Sequence, residues 1–464
     1  MFCRILAFMV CLVMAVQVGI GLVWLVRNYN VEPAFGDIGE YLTMGETMVL
    51  DEYRPILFPL TLRVFKSIGW RLSHTDTLWP TLLMTVQTLF NLLGIFYYLL
   101  THKRVFQLRV NRWLVVLFGL YVWTTPMIMW INVNHTGPDS LAMTFLLFLL
   151  AGLDRFLFSE KLTGKQTVLT WAEICISYII QALLRADRTY HALACILICI
   201  LIKAIKDRKK GKSCRMLVPT LSAVLSLCLV LTVNHFTQTP GSYGRPKTDL
   251  SFIMLDRIAW PHMAENYDDL PEDIREIVSF EEAQKFDSHN NNVMYSTALV
   301  IRDAVGEEKA SDVYRRIAET VWRNEAPTVL KEIGDDILTF AGFPFSLFVD
   351  KFTHSVQTNH AWNLSRMCSK TPKLSVFCED FYLYSFTACM LIVAGIYLLS
   401  PEKWKYRTKV GSIAVMSILV VLWYSLGDGA PPNERYVLMG IMAWEVLMVK
   451  MPLALNTDTQ ASRT

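Results

Sequence analysis

Long apolar runs separated by short polar segments are the dominant pattern of this chain. Ten runs approach or exceed the length that an α-helix needs to cross a bilayer core of about 30 Å. They cover 6–26, 78–100, 113–132, 140–158, 168–184, 190–205, 216–234, 382–400, 410–426 and 436–451, of which the fifth and sixth are short. The pattern predicts an all-α polytopic membrane protein with about ten transmembrane helices.

The polar segments between these runs predict the domain organisation. We expect an N-terminal membrane domain at 1–234, whose first loop covers 27–77, and C-terminal membrane helices at 382–451 before a tail at 452–464. The 235–381 segment, between spans seven and eight, has acid-rich helical stretches and no long alternating pattern, which favours a mostly helical domain. From Pro59 to Trp70, apolar and basic positions predict an amphipathic helix in the membrane interface.

Composition agrees with the membrane class. Hydrophobic residues make up 53% of the 464 residues and charged residues only 18%, whereas soluble proteins carry about a quarter charged residues. The first apolar run is longer than the core of a signal peptide, so we expect an uncleaved anchor.

Lysine and arginine in the loops predict the orientation. They concentrate in the loops 101–112, 203–215 and 401–409, which with ten spans lie on the same side as both termini. The positive-inside rule makes that side the cytoplasm. The loops 27–77, 133–139, 185–189, 235–381 and 427–435 then face outward. Because the basic residues lie beside spans, they suit anionic lipid and do not indicate a nucleic-acid partner.

The ten cysteines lie mostly in apolar runs, where they act as small hydrophobic residues. Cys368 and Cys378 fall in the predicted outward domain, where an oxidising compartment permits a disulfide between them. The two thiols left free are the alternative. No Cys/His spacing typical of a zinc site is present.

The first outward loop carries an acidic cluster. Asp37, Glu40, Tyr41, Met44 and Met48 recur at helical spacing, which predicts that they share one face of a short helix. The Asp37–Glu40 spacing is also that of a capping box, so capping alone remains an explanation for both acids.

Two further outward turns carry charged residues. Asp139 begins the fourth span, either as a helix N-cap or as an acid directed into an outward cavity. Arg185 and Arg188 lie between two spans, and Asp187 is the candidate to neutralise one of them. An arginine at membrane depth usually has a partner or a task, and its planar fork suits phosphate oxygens.

The order of these elements resembles the GT-C superfamily of polytopic glycosyltransferases, in the branch of the protein O-mannosyltransferases and the lipid A aminoarabinose transferases. Four places carry the resemblance: Asp37-Ile38-Gly39-Glu40-Tyr41 followed by Arg54-Pro55, then Pro138-Asp139, then Arg185 to Tyr190, and finally Glu434-Arg435-Tyr436. Mannosyltransferase relatives usually have adjacent Asp-Glu in the first loop, whereas Ile38 follows Asp37 here. The resemblance covers most of the membrane part and none of 235–381.

The resemblance implies transfer of a sugar from a polyprenyl-phosphate carrier to a glycan, lipid or protein acceptor at the outer face of a bacterial cell membrane. Asp37 would be the general base, with Glu40 or Asp139 orienting the acceptor, and direct attack would invert the anomeric carbon. The phosphate would be held by Arg54, Arg185, Arg188 and Arg435. Pocket candidates are Tyr41, His135, Tyr190 and His262, although an interfacial position is the more common role for a residue such as His135 and packing for one such as His262. No cofactor is expected, and arginines at the phosphate make a divalent metal unnecessary.

Two other classes of function remain open at this stage. A transporter or lipid flippase would have repeated halves, or broken helices with charges near the bilayer midplane. A non-catalytic protein of cell-envelope assembly would bind its ligands without transferring a sugar.

Overall fold

Helices account for the secondary structure that we describe, apart from one isolated bridge between Leu50 and Gln238. The computed structural model describes residues 2–29, 38–51, 54–106, 111–133, 137–159, 164–211, 216–239, 249–285, 292–342, 370–399, 411–427 and 441–446. These residues contain no strand, and the prediction of an all-α membrane protein is confirmed.

The chain divides into two compact units, of which the first comprises Met1–Gln238, Trp362–Leu419 and Leu438–Thr464. Up to Gln238, its helices are α1 (Phe2–Asn28), α2 (Ile38–Thr47), α3 (Leu57–Ser73), α4 (Leu78–Val105), α5 (Arg112–Trp123), α6 (Pro126–Val133), α7 (Asp139–Phe158), α8 (Gly164–Leu184), α9 (Asp187–Lys209) and α10 (Leu217–Thr237). A short helix at 441–446 also belongs to this unit.

Seven of the described helices are long and apolar enough to cross a bilayer: α1, α4, α7, α8, α9, α10 and a later helix, α16 (Pro372–Leu399). The short fifth and sixth runs are thus full-length helices. The 113–132 run forms α5 and α6, which meet at a bend of 70° and would make an eighth span if taken together. Pro126 begins α6, and a proline cannot donate to the preceding helical turn, which explains the break.

The predicted count of ten spans is not established. The ninth run corresponds to α17 (Ser412–Gly427), whose 16 residues are fewer than a span requires. Of the tenth run, only 441–446 lie within the described residues.

α7 is the most buried of the candidate spans. It is 72% buried along its most apolar stretch, against 22% for α10, and it packs on both α4 and α8. Gly152 allows the approach of α8, because a Cβ at this position would lie 2.8 Å from Cγ1 of Ile174. Small residues permit such close helix contacts within a membrane.

The first loop differs from its prediction in detail. α2 ends at Thr47, and Met48 lies beyond it with φ at 58°, so Met48 does not share the helical face of Tyr41 and Met44. Its left-handed conformation ends the helix. α3 confirms the helical part of the Pro59–Trp70 prediction and extends it at both ends.

The second unit comprises Thr239–Ala361 and Val420–Val437, and its described secondary structure is helical. It contains α11 (Leu250–Met254), a π-helical turn (Leu255–Ala259), 3₁₀ turns (Trp260–His262 and Tyr267–Asp269), α12 (Glu272–Arg275), α13 (Phe280–Ala283), α14 (Asn292–Val305) and α15 (Glu307–Gly342). α15 kinks at Glu325, two residues before Pro327, whose ring obstructs the helical hydrogen-bond pattern. α16 begins at Pro372, inside the predicted 235–381 domain, because the helix starts before its most apolar stretch.

Candidate functional site

An apolar cluster holds the first loop against the helices that follow it. We call it the first-loop cluster, and its buried members are Tyr41, Phe58, Leu62, Trp79, Leu83, Ala142 and Leu184. It joins α2 and α3 to the beginnings of α4 and α7 and to the end of α8. These are the helix ends that the predicted topology places on the outward side.

Two acid–arginine pairs lie beside this cluster, and the first joins Arg54 to Glu40. The side chain of Arg54 is only 6% exposed, whereas that of Glu40 is 40% exposed. The guanidinium carbon lies 5.0 Å from the centre of the Tyr41 ring, a cation–π distance. Tyr41 in turn meets Phe58 edge to face at 5.0 Å. Arg54 is therefore held in a fixed position by both charge and packing.

The second pair joins Asp139 to Arg185, and both side chains are largely buried. Asp139 is in the first turn of α7, where the helix dipole favours an anion, and Arg185 directly follows α8, where the dipole favours a cation. α7 begins at Asp139 itself, after Pro138, so the N-cap position is not occupied by this aspartate. The described partner of Arg185 is Asp139. The side chain of Asp187, the partner that the sequence suggested, lies outside the described residues.

Buried amide and hydroxyl groups next to Asp139 were not singled out from the sequence. Ser140 donates to Oδ1 of Asn132 at 2.6 Å, and Asn132 donates to Oδ1 of Asn91 at 3.3 Å. The amide of Gln87 donates to the carbonyl of Gly137 at 3.1 Å. The Gln87 Oε1 and Asn91 Nδ2 atoms are buried without a hydrogen-bond partner in the described part of the chain.

Gln181 lies in α8, one turn before Arg185, and is fully buried. Neither polar atom of its amide has a hydrogen-bond partner among the residues described. Unsatisfied buried amides are rare and require an explanation, such as a ligand or water. The sequence offered one signal for these residues, since each is an amide within an apolar run. Gln87 and Asn91 share one face of α4, and Gln181 precedes Arg185 by four residues.

A cavity of about 350 Å³ lies between α2 and α3. Leu42, Leu62 and Trp70 provide apolar walls. The charged residues of the lining are Arg63, Lys66, Glu46 and Asp76. Lys66 pairs with Glu46 across the cavity. The cavity thus combines apolar surface with balanced charge, next to a helix whose other face exposes Leu60, Val64 and Ile68.

The remaining predicted site residues are not brought together by the described structure. Asp37, His135 and Arg435 lie outside the described residues, and so does the side chain of Arg188. Tyr190 is 55% exposed on α9. His262 belongs to the second unit, where it is buried and its Nε2 lies 3.2 Å from Oε2 of Glu332. The role of His262, as a pocket residue or in packing, stays a prediction.

The predicted disulfide concerned Cys368, outside the described residues, and Cys378. Cys378 lies in α16 in the first unit, and not in the separate domain to which the sequence assigned it. Its thiol is free and buried against Trp24 and Met129. The pairing therefore stays a prediction. No group of three or more histidine, cysteine, aspartate or glutamate side chains suited to a metal ion occurs in the described part of the chain.

Comparison with protein-family models, with curated proteins and with solved structures finds no match to this chain. The resemblance to the GT-C superfamily therefore depends on the four sequence motifs alone.

Proposed function

We propose that this integral membrane protein is a GT-C-type glycosyltransferase, which moves a sugar from a polyprenyl-phosphate carrier to an acceptor at the outer face of a bacterial cell membrane. The observation that carries the proposal is the pair of buried arginines, Arg54 and Arg185, each held by a carboxylate beside the same first-loop cluster. Three of the four motifs in the resemblance supply these pairs: the first supplies Glu40 and Arg54, the second Asp139, and the third Arg185.

The arginines suit the leaving group. A polyprenyl phosphate leaves as an anion, so it needs positive charge and no proton. A guanidinium presents five donors in a planar fork, which allows it to bridge a carboxylate and a phosphate. The carboxylates Glu40 and Asp139 hold the forks in position before the carrier arrives. Arg188 and Arg435 complete the phosphate site in this proposal.

The acids divide into two roles. Glu40 and Asp139 are each paired with an arginine, which fixes the position of the carboxylate and suits both acids to orienting the acceptor. Asp37 then takes the proton from the acceptor hydroxyl as its oxygen attacks the anomeric carbon. The bond from that carbon to the carrier phosphate breaks, and the configuration inverts. Tyr41, His135 and Tyr190 line the pocket, while His262 has no role in this proposal.

The buried amides support a sugar as the ligand. Sugars present many hydroxyl groups, each a donor and an acceptor, and Gln87, Asn91 and Gln181 offer both kinds of atom without partners in the described structure. A site with such groups discriminates strongly against a ligand that leaves them unpaired.

The test uses the purified full chain with a panel of polyprenyl-phosphate sugars, and measures the release of polyprenyl phosphate together with carrier binding. We expect Asp37→Asn to bind carrier and lose transfer, and Arg185→Ala to weaken carrier binding. Arg315→Ala, an exposed arginine of the second unit, is the matched control and should change neither. Full transfer by Asp37→Asn would overturn the base assignment, and unchanged carrier affinity in Arg185→Ala would overturn the phosphate role.

The proposal includes ten spans, cytoplasmic termini and an outward site. A single cysteine introduced at Ser73 should react with a membrane-impermeant thiol reagent added outside. A single cysteine introduced at Lys210 should react with the same reagent only after the membrane is permeabilised. The reverse pattern would contradict the orientation.

A transporter or flippase is the second candidate, because of a specific observation. The bend between α5 and α6 is a broken helix, and a carboxylate, Glu445, is buried beside it. Broken helices with buried charge are typical of ion-coupled transporters. Reconstituted liposomes that show carrier lipid or solute movement without sugar transfer would favour this candidate.

A further inference from the structure

The break between α5 and α6 is fixed by packing. Thr124 and Thr125 lie between the two helices. α1 approaches closely here, since a Cβ on Gly21 would lie 2.6 Å from Cβ of Thr124. Gln17, near the middle of α1, donates to the Thr124 carbonyl at 3.4 Å. The break is therefore a built feature of the first unit.

Glu445 reaches this break from the short helix at 441–446. Its Oε1 accepts hydrogen bonds from the Thr125 hydroxyl at 2.6 Å and from the Tyr382 hydroxyl at 2.7 Å. The whole side chain is buried, and Oε2 has no hydrogen-bond partner among the described residues. Oε1 of Gln17 is also buried and lacks a partner in the same part of the chain.

No described basic side chain pairs with Glu445. In the described part of the chain, the titratable groups near it are tyrosines and cysteines: Tyr121 of α5, Tyr382 and Cys389 of α16, and Cys11 of α1 close to Cys389. None of them carries positive charge, and Cys378 lies beside Gln17. An ionised carboxylate in such an interior is costly unless a positive charge accompanies it.

We propose that Glu445, Thr125 and Tyr382 form an intramembrane site for a monovalent cation, either a proton or Na⁺. One carboxylate balances one positive charge, so a divalent ion would leave an excess. The available atoms are oxygens, namely a carboxylate, two hydroxyls and the nearby Gln17 carbonyl, which suit a hard cation. Unwound helix segments supply such ligands in membrane proteins. This site is separate from the residues proposed for sugar transfer and does not depend on that function.

The test is the thermal unfolding of the purified full chain, followed by tryptophan fluorescence in two series. In one, NaCl replaces choline chloride at constant ionic strength and mildly alkaline pH. In the other, the pH is lowered in choline chloride alone. A Na⁺ site predicts a rise in melting temperature with Na⁺ in the first series, and a proton site predicts a rise only in the second.

Glu445→Gln is permanently neutral and keeps the side-chain shape. Its melting temperature should therefore lose the dependence on Na⁺ or on pH that the wild type shows. Glu46→Gln, an exposed glutamate on α2, is the matched control and should retain it. The proposal is wrong if wild type and Glu445→Gln respond alike in both series.

Two milder variants keep the test decisive should Glu445→Gln fail to fold. Thr125→Val and Tyr382→Phe each remove one hydroxyl from the site. If the site binds a proton, we expect the pH midpoint of the rise in melting temperature to shift. If the site binds Na⁺, we expect half of the rise in melting temperature to need about tenfold more Na⁺. An unchanged midpoint in both variants would overturn the site.

Discussion

The first-loop cluster and the α5–α6 break each have a buried carboxylate beside them, but the two carboxylates have different partners. Asp139 is paired with Arg185 at the end of the neighbouring helix, so the protein supplies both charges. Glu445 has only the hydroxyls of Thr125 and Tyr382 as described partners. A buried pair is balanced in every state, whereas a lone buried acid requires a charge from outside. The first arrangement suits a rigid binding site, and the second suits a site that exchanges an ion.

Breaking the Asp139–Arg185 pair should have the largest effect on stability. Arg185→Met leaves Asp139 buried without its cation, and removing one partner of a buried pair costs about 3–5 kcal/mol. Thermal or denaturant unfolding of the purified protein measures this loss. The double variant Asp139→Asn/Arg185→Met should recover part of it. A loss equal to the sum of the two single losses would contradict a direct pairing.

Neutralising the two acids one at a time sharpens the comparison. Asp139→Asn should destabilise by about 2–3 kcal/mol, because it leaves the buried guanidinium without its anion. At mildly alkaline pH without Na⁺, Glu445→Gln should be neutral or stabilising, since it removes an uncompensated charge. Side-by-side unfolding measurements decide the matter, and equal destabilisation by both variants would refute the distinction.

The second unit contains an intermediate case, in which Arg257 pairs with Asp336 at 2.6 Å. Burial raises the pKa of Asp336 to about 6, against the lowering effect of Arg257. Because the pKa in the folded state is raised, this carboxyl contributes stability below its unfolded pKa of 3.8 and loses it as the pH rises through about 6.

We therefore expect the wild type to lose about 2–3 kcal/mol relative to Asp336→Asn between the two ends of this pH range, because each unit of pKa shift corresponds to about 1.4 kcal/mol. Unfolding at a series of pH values measures the difference. Asp312→Asn, at an exposed aspartate, should follow the wild type. A wild type and an Asp336→Asn variant with parallel pH profiles would show that Asp336 titrates normally.

The exposed pair of Arg315 and Asp312 should give the smallest effect. Their side chains are 56% and 52% exposed, so water already solvates both charges. Arg315→Ala should change the free energy of unfolding by less than about 0.5 kcal/mol. A loss comparable to that of Arg185→Met would mean that burial does not explain the difference between these arginine–aspartate pairs.

Several features of the candidate site could be predicted from the sequence because they depend on local patterns. Apolar runs of bilayer length predict helices, since a backbone in lipid must satisfy its own hydrogen bonds. The spacing of Glu40, Tyr41 and Met44 predicted α2, and arginines in loops that were predicted to face outward marked Arg54 and Arg185. Each of these signals lies within a few neighbouring residues.

The missed residues had no local signal strong enough to stand out. Glu445 is a single acid in the last apolar run, and Gln87, Asn91 and Gln181 are uncharged. Their importance depends on whether another helix supplies a partner. Similarly, the partner of Asp139 could not be identified until the contact between α7 and the end of α8 was known.

The sequence by itself determined the membrane class, the helices and the positions of the charged turns, because hydropathy and helical period act along the chain. Only the tertiary structure decided which charges meet. Asp139 and Arg185 are 46 residues apart, and Thr125 and Glu445 are 320 residues apart. Such pairs form where separate helices pack, and packing depends on side-chain shape across the whole unit. The same packing leaves one acid balanced by an arginine and the other without a charged partner among the described residues.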